Sequence, residues 1–210
     1  MPYSGFAVDG ARAADVAGAQ VTAWRAVAGD ARYDVGCFYV GVNDVRAGDW
    51  APDVFAADHE RVLAALGERC DRVLAVLLPL DLGRPRAAAV EQANALIEAS
   101  AARRGALLLD LRGFGARNLV MTDHVHPTAF GQVAIAERAL DVLAGDGMHV
   151  RVRPATLISP GERTRVRALQ GDWTYVYRRL KVLRAQAWAA GRRASRAATA
   201  RSDSSPTRAR

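Results

Sequence analysis

Two periodicities alternate along the first 147 residues. "RYDVGCFYVGVND" (32–44) begins as a β-rich apolar run and ends in Gly and Asn-Asp, which predicts a buried strand running into a loop. "RVLAVLLPL" (72–80) predicts a second strand stopped at Pro79, and "GALLLDL" (105–111) a third. Near-continuous apolar runs suit parallel strands covered on both faces. Between them the apolar spacing lengthens to the helical period. "PDVFAADHERVLAALGE" repeats Val54, Phe55, Val62, Leu63 and Leu66 behind Pro52. "PRAAAVEQANALIEASAARRG" opens at Pro85 and ends in Arg103, Arg104 and Gly105, a basic last turn before a helix-stopping Gly. "PTAFGQVAIAERALDVLAGDG" opens at Pro127 and stops at Gly145. Ahead of these, a short strand is expected at Gly5 to Val8, a turn at Asp9-Gly10 and a helix from about Ala13 to Ala28. The order β-α-β-α-β-α-β-α indicates an α/β fold with a doubly wound parallel sheet.

The texture changes after Gly147. Residues 148–171 read as an irregular linker with breakers at Pro154 and Pro160, leaving 1–147 as the α/β domain. Residues 172–210 read as a basic amphipathic helix and a disordered tail. Asp172 is the expected cap, and Trp173, Tyr177, Leu180, Leu183 and Trp188 fall near one face. Charge follows the same boundary. The chain carries +7 overall, yet residues 1–150 hold 14 Arg against 19 Asp and Glu, while residues 151–210 hold 15 Lys and Arg against 3 acidic residues. The basicity therefore belongs to the tail. The first expectation for the tail is a helix packed on the domain with a solvated basic face. The alternative, suggested by its interleaved aromatics, is weak contact with an anionic membrane surface through 172–201. No nucleic-acid motif accompanies the charge, so no nucleic acid is expected.

The 210 residues are 50% hydrophobic and 24% charged, an ordinary balance for a globular protein. No window approaches the ~18 uninterrupted apolar residues of a transmembrane helix, and no signal-peptide pattern follows Met1. Both features lead to an expectation of cytoplasmic localisation. Cys37 and Cys70 lack CxxC spacing and are expected to be buried thiols.

The densest chemistry lies in "TDHVHPTAF" (122–130). As a metal site, His124-X-His126 supplies two imidazoles and a neighbouring carboxylate, short of the usual three-ligand catalytic set, and no metal or cofactor is expected. As a helix start, Asp123 and His126 would satisfy the N-terminus of the helix opened by Pro127. As a catalytic pair, Asp123 would fold back onto the His126 imidazole and hold it as a general base. Spacing alone leaves the three open. Gly41 and Asn43 in "YVGVNDV" follow a strand at its C-terminal end, where open α/β sheets place their sites. The Asn43 amide could donate to a developing oxyanion, or it could simply make turn hydrogen bonds. Gly10 could add a backbone N–H to the same oxyanion, or serve only as a turn residue.

Taken together, the segments from residue 5 to 145 resemble the SGNH (GDSL) hydrolase superfamily. "AVDGARAADV" looks like its second block, "GVND" its third and "DHVHP" its fifth. The resemblance implies a three-layer flavodoxin-like fold and a Ser-His-Asp triad containing His126 and Asp123. It also implies an oxyanion hole from Gly10 and Asn43, with Gly41 and Asp44 in support and His124 as a spacer. The family's first strand, which ends in a Gly-Asp-Ser nucleophile, has no counterpart in this sequence. The resemblance places that strand centrally, between the segment holding Ala7 and the strand holding Phe38. Its absence should leave two parallel edges unpaired. The expected function is hydrolysis of a small-molecule acyl ester by an esterase- or lipase-like enzyme, with the serine supplied ahead of Met1. Because a lost N-terminus could have carried a signal peptide, secretion stays open. The alternative is a catalytically inactive, truncated or degenerate α/β binding module.

Overall fold

The computed structural model describes residues 3–83, 87–116 and 118–158, and beyond these residues 169, 173, 176, 177, 179–181, 183, 184 and 187. Three parallel strands form its sheet in the order β1 (Tyr33–Phe38), β2 (Cys70–Leu77), β3 (Leu107–Asp110). Tyr33 aligns with Cys70 and Phe38 with Ala75; on the other side Leu74 aligns with Leu107 and Leu77 with Asp110. The crossovers are α3 (Val42–Arg46) with α4 (Pro52–Gly67), then α5 (Ala87–Arg104). After β3 comes α6 (Ala129–Gly145), and a 3-10 turn at Pro154–Leu157 follows. Before β1, α1 (Ala13–Asp15), a π-helical stretch (Val16–Gln20) and α2 (Val21–Ala28) run consecutively over the expected helix. Residues 84–86, including the Pro85 expected to open α5, lie outside the described residues.

The central strand explains the layers. Successive side chains of a strand point to opposite faces. Val73, Ala75 and Leu77 pack on one side with Phe55, Val62 and Leu63 of α4 and Val90, Ala93 and Ile97 of α5. Leu74 and Val76 pack on the other with Leu109 and with Ala134, Ile135, Ala139 and Val142 of α6. Both faces of β2 are thereby dry, and the near-continuous apolar run that predicted a parallel strand is accounted for.

Two expectations change. Residues 5–8 form no strand. A strand needs a neighbour to complete its ladder, and β1 is bonded to β2 alone, standing at the end of the sheet order. The segment is held instead by Phe6, which packs in a cluster with Trp24, Ala65 and Cys70. Cys37 is the second correction: it is exposed, whereas Cys70 is buried as expected. Alpha6 covers β2 and β3, and Cys37 on the outermost strand lies beyond its reach.

One polar pair is sealed inside the α4–α5 layer. His59 is 1% exposed and Ser100 is fully buried, with His59 Nδ1 2.7 Å from Ser100 Oγ. The Ser100 hydroxyl donates to the Ile97 carbonyl at 3.0 Å, leaving its oxygen to accept from Nδ1–H of a neutral imidazole. Phe38 and Phe55 stack at ring distances of 4.8 and 5.7 Å. Burial drives the His59 pKa down from 6.5 to about 4. A folded-state pKa below the unfolded one contributes stability that is complete above pH 6.5 and lost as the pH falls toward 4. Between pH 7.5 and pH 5 this residue should remove about 2 kcal/mol from the unfolding free energy. Urea titrations across that range should show the loss in the native sequence and a flatter profile in His59→Phe. Parallel profiles would contradict it.

Candidate active site

Parallel strands present all their C-terminal ends on one edge, so the segments following β1, β2 and β3 gather there. After β1 the chain turns at Gly41 (φ 119°) into α3. A side chain at Gly41 would be strained by that φ, and its Cβ would lie 3.1 Å from Leu78 and 3.3 Å from Phe55. Gly41 therefore supports the loop by conformation and close packing. Arg46, at the end of α3, donates to the Leu82 carbonyl and ties this loop to the one following β2.

The loop after β3 carries the chemistry. Asp123 Oδ2 accepts from His126 Nδ1 at 2.7 Å. Its other oxygen, Oδ1, accepts from the backbone N–H groups of Val125 (2.9 Å) and His126 (3.1 Å). Partial burial pushes the Asp123 carboxyl up. The bonds from Val125, the His126 ring and the His126 backbone pull it down by more, leaving it below its ordinary value. The carboxylate is thus held ionised and aimed at one imidazole nitrogen. The His126 side chain is 70% exposed, and among the described residues its Nε2 has no hydrogen-bond partner.

This geometry separates the three readings of "TDHVHPTAF". Helix α6 is capped by Thr128, whose hydroxyl accepts from Gly131 N–H at 3.1 Å, so Asp123 is not its cap. Alpha6 also lies tight against the loop: a Cβ on Gly131 would stand 1.9 Å from the Leu119 carbonyl oxygen. The two imidazoles have different carboxylate partners. His126 is engaged by Asp123, while His124 Nδ1 lies 2.8 Å from Asp81 Oδ2. The paired arrangement is the one the side chains adopt.

His124 is more than the spacer expected of it. It holds φ 61°, the sole positive value among described non-glycine residues, and its side chain is 11% exposed. Its ring clips the loop after β3 to the loop after β2, where Asp81 also accepts from Gly83 N–H at 2.9 Å. Sequence reasoning missed Asp81 and Arg46. Asp81 could have been found from its position just past the end of a predicted strand; Arg46 had no such signal.

The expected oxyanion elements also come together. Asn43 Nδ2 donates to the Ala11 carbonyl at 2.9 Å, which places its amide beside the Gly10 turn and leaves its second N–H unassigned. Gly10 holds φ 79° in that turn. Asp44 accepts from Ala13 N–H at 3.2 Å and anchors the start of α1 to α3. Partial burial raises the Asp44 pKa, opposed by the backbone N–H bond from Ala13. The connection to the loop of His126 runs through Arg46–Leu82 and Asp81–His124.

Neither described serine reaches the pair. Ser4 Oγ lies 3.5 Å from the Tyr33 hydroxyl, at the start of β1 and so at the opposite end of the sheet. Ser100 is sealed against His59.

Comparison with known proteins sets this arrangement in context. The model of the GDSL-like Lipase/Acylhydrolase family matches residues 3–134. The fold is shared with LAE5, an alpha/beta hydrolase enzyme from the metagenome of Lake Arreo, Spain (TM-score 0.54, 18% identity, 64% of this chain and 69% of that one). It is shared also with the acetyl xylan esterase AlAXEase (TM-score 0.52, 21% identity, 64% and 77%). TesA matches with a TM-score of 0.51 at 21% identity, over 61% of this chain and 72% of that chain. No curated protein matches the chain.

The clip at His124 makes a stability prediction of unusual sign. His124→Ala and His124→Gly both lose the bond to Asp81, but only Ala must also hold the left-handed backbone. Ala should therefore be the less stable by about 1 kcal/mol. Urea unfolding of the two variants decides this, and an Ala variant equal to or better than Gly would contradict the backbone assignment.

Proposed function

Since the chain belongs to the GDSL-like lipase/acylhydrolase family, whose chemistry is ester hydrolysis, we propose that it forms a serine ester hydrolase with His126 as general base and Asp123 as its orienting carboxylate. The observation that carries this reading is the 2.7 Å contact between Asp123 Oδ2 and His126 Nδ1, made at the C-terminal edge of the sheet with Nε2 turned outward. In this scheme Asp123 fixes the tautomer with the proton on Nδ1, leaving Nε2 basic. Nε2 takes the proton of a serine hydroxyl as its oxygen attacks the acyl carbonyl. The second N–H of Asn43 and the backbone N–H of Gly10 receive the developing oxyanion. Protonation of the leaving alcohol by His126 yields an acyl-enzyme, and water activated by the same imidazole releases the acid.

The nucleophile comes, in this proposal, from a Gly-Asp-Ser strand ahead of Met1. Such a strand would lie beside β1, on the side that β2 does not occupy, and would end at the same edge as the other strands. The placement of Ser4 and Ser100 away from the pair favours the second reading, a non-catalytic α/β binding module, for the described residues taken alone.

The experiment compares this chain with the product extended in frame upstream, using p-nitrophenyl acetate turnover and labelling by a fluorophosphonate probe. The extended protein should hydrolyse the ester and label on a serine ahead of Met1. His126→Ala should reduce turnover by roughly 10³-fold or more and Asn43→Ala by about 10²-fold. An active extended protein indifferent to His126→Ala would remove the triad assignment. An extended protein that folds yet neither labels nor turns over ester would establish the binding module instead.

A further inference from the structure

Residues beyond the family match carry a surface that the domain leaves uncovered. The described residues from 169 to 187 are all helical. Asp172, Tyr175 and Trp188, named for the same helix from sequence, lie outside the described residues. Leu169, Trp173, Val176, Tyr177, Leu180 and Leu183 are exposed, Trp173 by 74% and Tyr177 by 64%. Placed on a helical wheel at 100° per residue, these six positions fall within an arc of roughly 120°, an apolar stripe shared with Arg184. Had the helix packed this face onto the domain, these side chains would be buried. The charges complete the pattern: Arg179 and Lys181 flank the stripe, Arg184 falls within its arc, and the last sixty residues carry a large basic excess.

A polyanion such as nucleic acid would match the charge but not six exposed apolar side chains. A second copy of the chain would match the stripe but would bring two basic segments together. An anionic lipid surface satisfies both features, because it offers hydrocarbon below a negatively charged headgroup layer. The helix also touches the site loop: Arg179 Nη1 donates to the Thr122 carbonyl at 3.3 Å, next to Asp123. Exposed Leu80 and Met121 sit on the two loops that carry Asp81 and Asp123. We propose that the segment carrying Leu169, Trp173, Val176, Tyr177, Leu180 and Leu183 is an interfacial anchor that lies in the surface of an anionic bilayer and holds the Asp123–His126 edge of the domain against it. Lipid binding stands independently of hydrolysis; the orientation of the site toward acyl esters at that surface rests on the function proposed above.

The full 210-residue chain is mixed with sedimentable vesicles of pure phosphatidylcholine or of phosphatidylcholine with 30 mol% phosphatidylglycerol. Its partitioning is read by co-sedimentation and tryptophan emission. Binding should be at least tenfold stronger on the anionic vesicles and accompanied by a blue shift. It should fall at least tenfold both in 0.5 M salt and in a Trp173→Ala/Leu180→Asp double variant whose domain circular dichroism is unchanged. Equal partitioning to the two vesicle types overturns the charge assignment. Binding lost in salt but untouched by the double variant, especially with comparable affinity for duplex DNA in anisotropy, identifies a polyanion site instead. Concentration-dependent dimerisation abolished by the double variant, without vesicle binding, assigns the stripe to a second copy. Because none of these readouts needs ester turnover, an inactive protein that binds anionic vesicles leaves the anchor standing while removing the hydrolase reading.

Discussion

The burial of β2 on both faces is the constraint from which the rest of this fold follows. A strand whose odd and even side chains are both apolar cannot lie on a surface, so it needs a helical layer on each side and a neighbour on each edge. Val73, Ala75 and Leu77 find α4 and α5; Leu74 and Val76 find α6. Parallel neighbours require long crossovers, and the helices that make those crossovers are the ones that cover the sheet. The same parallel arrangement sends every strand end, and every loop after it, to one edge. Chemistry gathers at that edge because the topology permits no other distribution.

The loops after β1 and β2 share one hydrophobic cluster through Val40, Val45, Leu78 and Leu82, and polar contacts add the link to the loop after β3. Arg46 reaches Leu82, Asp81 reaches His124, and Asn43 reaches Ala11. Each of these bonds links segments more than thirty residues apart. Through them, and through buried anchors such as Val45, Leu82 and Val120, the loops after β1, β2 and β3 take up a fixed relation. A strained residue at His124 fits this economy: its left-handed backbone is kept because the ring is captured by Asp81. The outcome is an ionised carboxylate against one nitrogen of an exposed imidazole, with the other nitrogen turned outward.

The outer side of β1 contrasts with the centre. There, among the described residues, the sheet has no further strand, residues 5–8 make no ladder, and Cys37 is exposed. Sequence composition cannot report this, since an apolar run reads the same whether its partner is present or not. The helices were legible because each brings its own signals: Pro52 opens α4, and Gly105 follows the basic end of α5. The residues 5–8 had the hydrophobicity of a strand but not the neighbour that a strand needs. The tail shows the complementary case, in which an amphipathic period was readable in the chain but the side it turned to solvent was not.

The sequence by itself determined the alternation of strands and helices, the parallel sense of the sheet and the family blocks that point to Asp123, His126, Asn43 and Gly10. These depend on local periodicity and on residue types at fixed short spacing, which a chain carries whether folded or not. Only the tertiary structure shows how the side chains of "TDHVHPTAF" are partnered. It assigned the helix cap to Thr128 and one carboxylate to each imidazole, and it set Ser4 and Ser100 apart from the pair. Those outcomes rest on contacts between segments distant in sequence, such as Asp81 with His124, which no local pattern encodes.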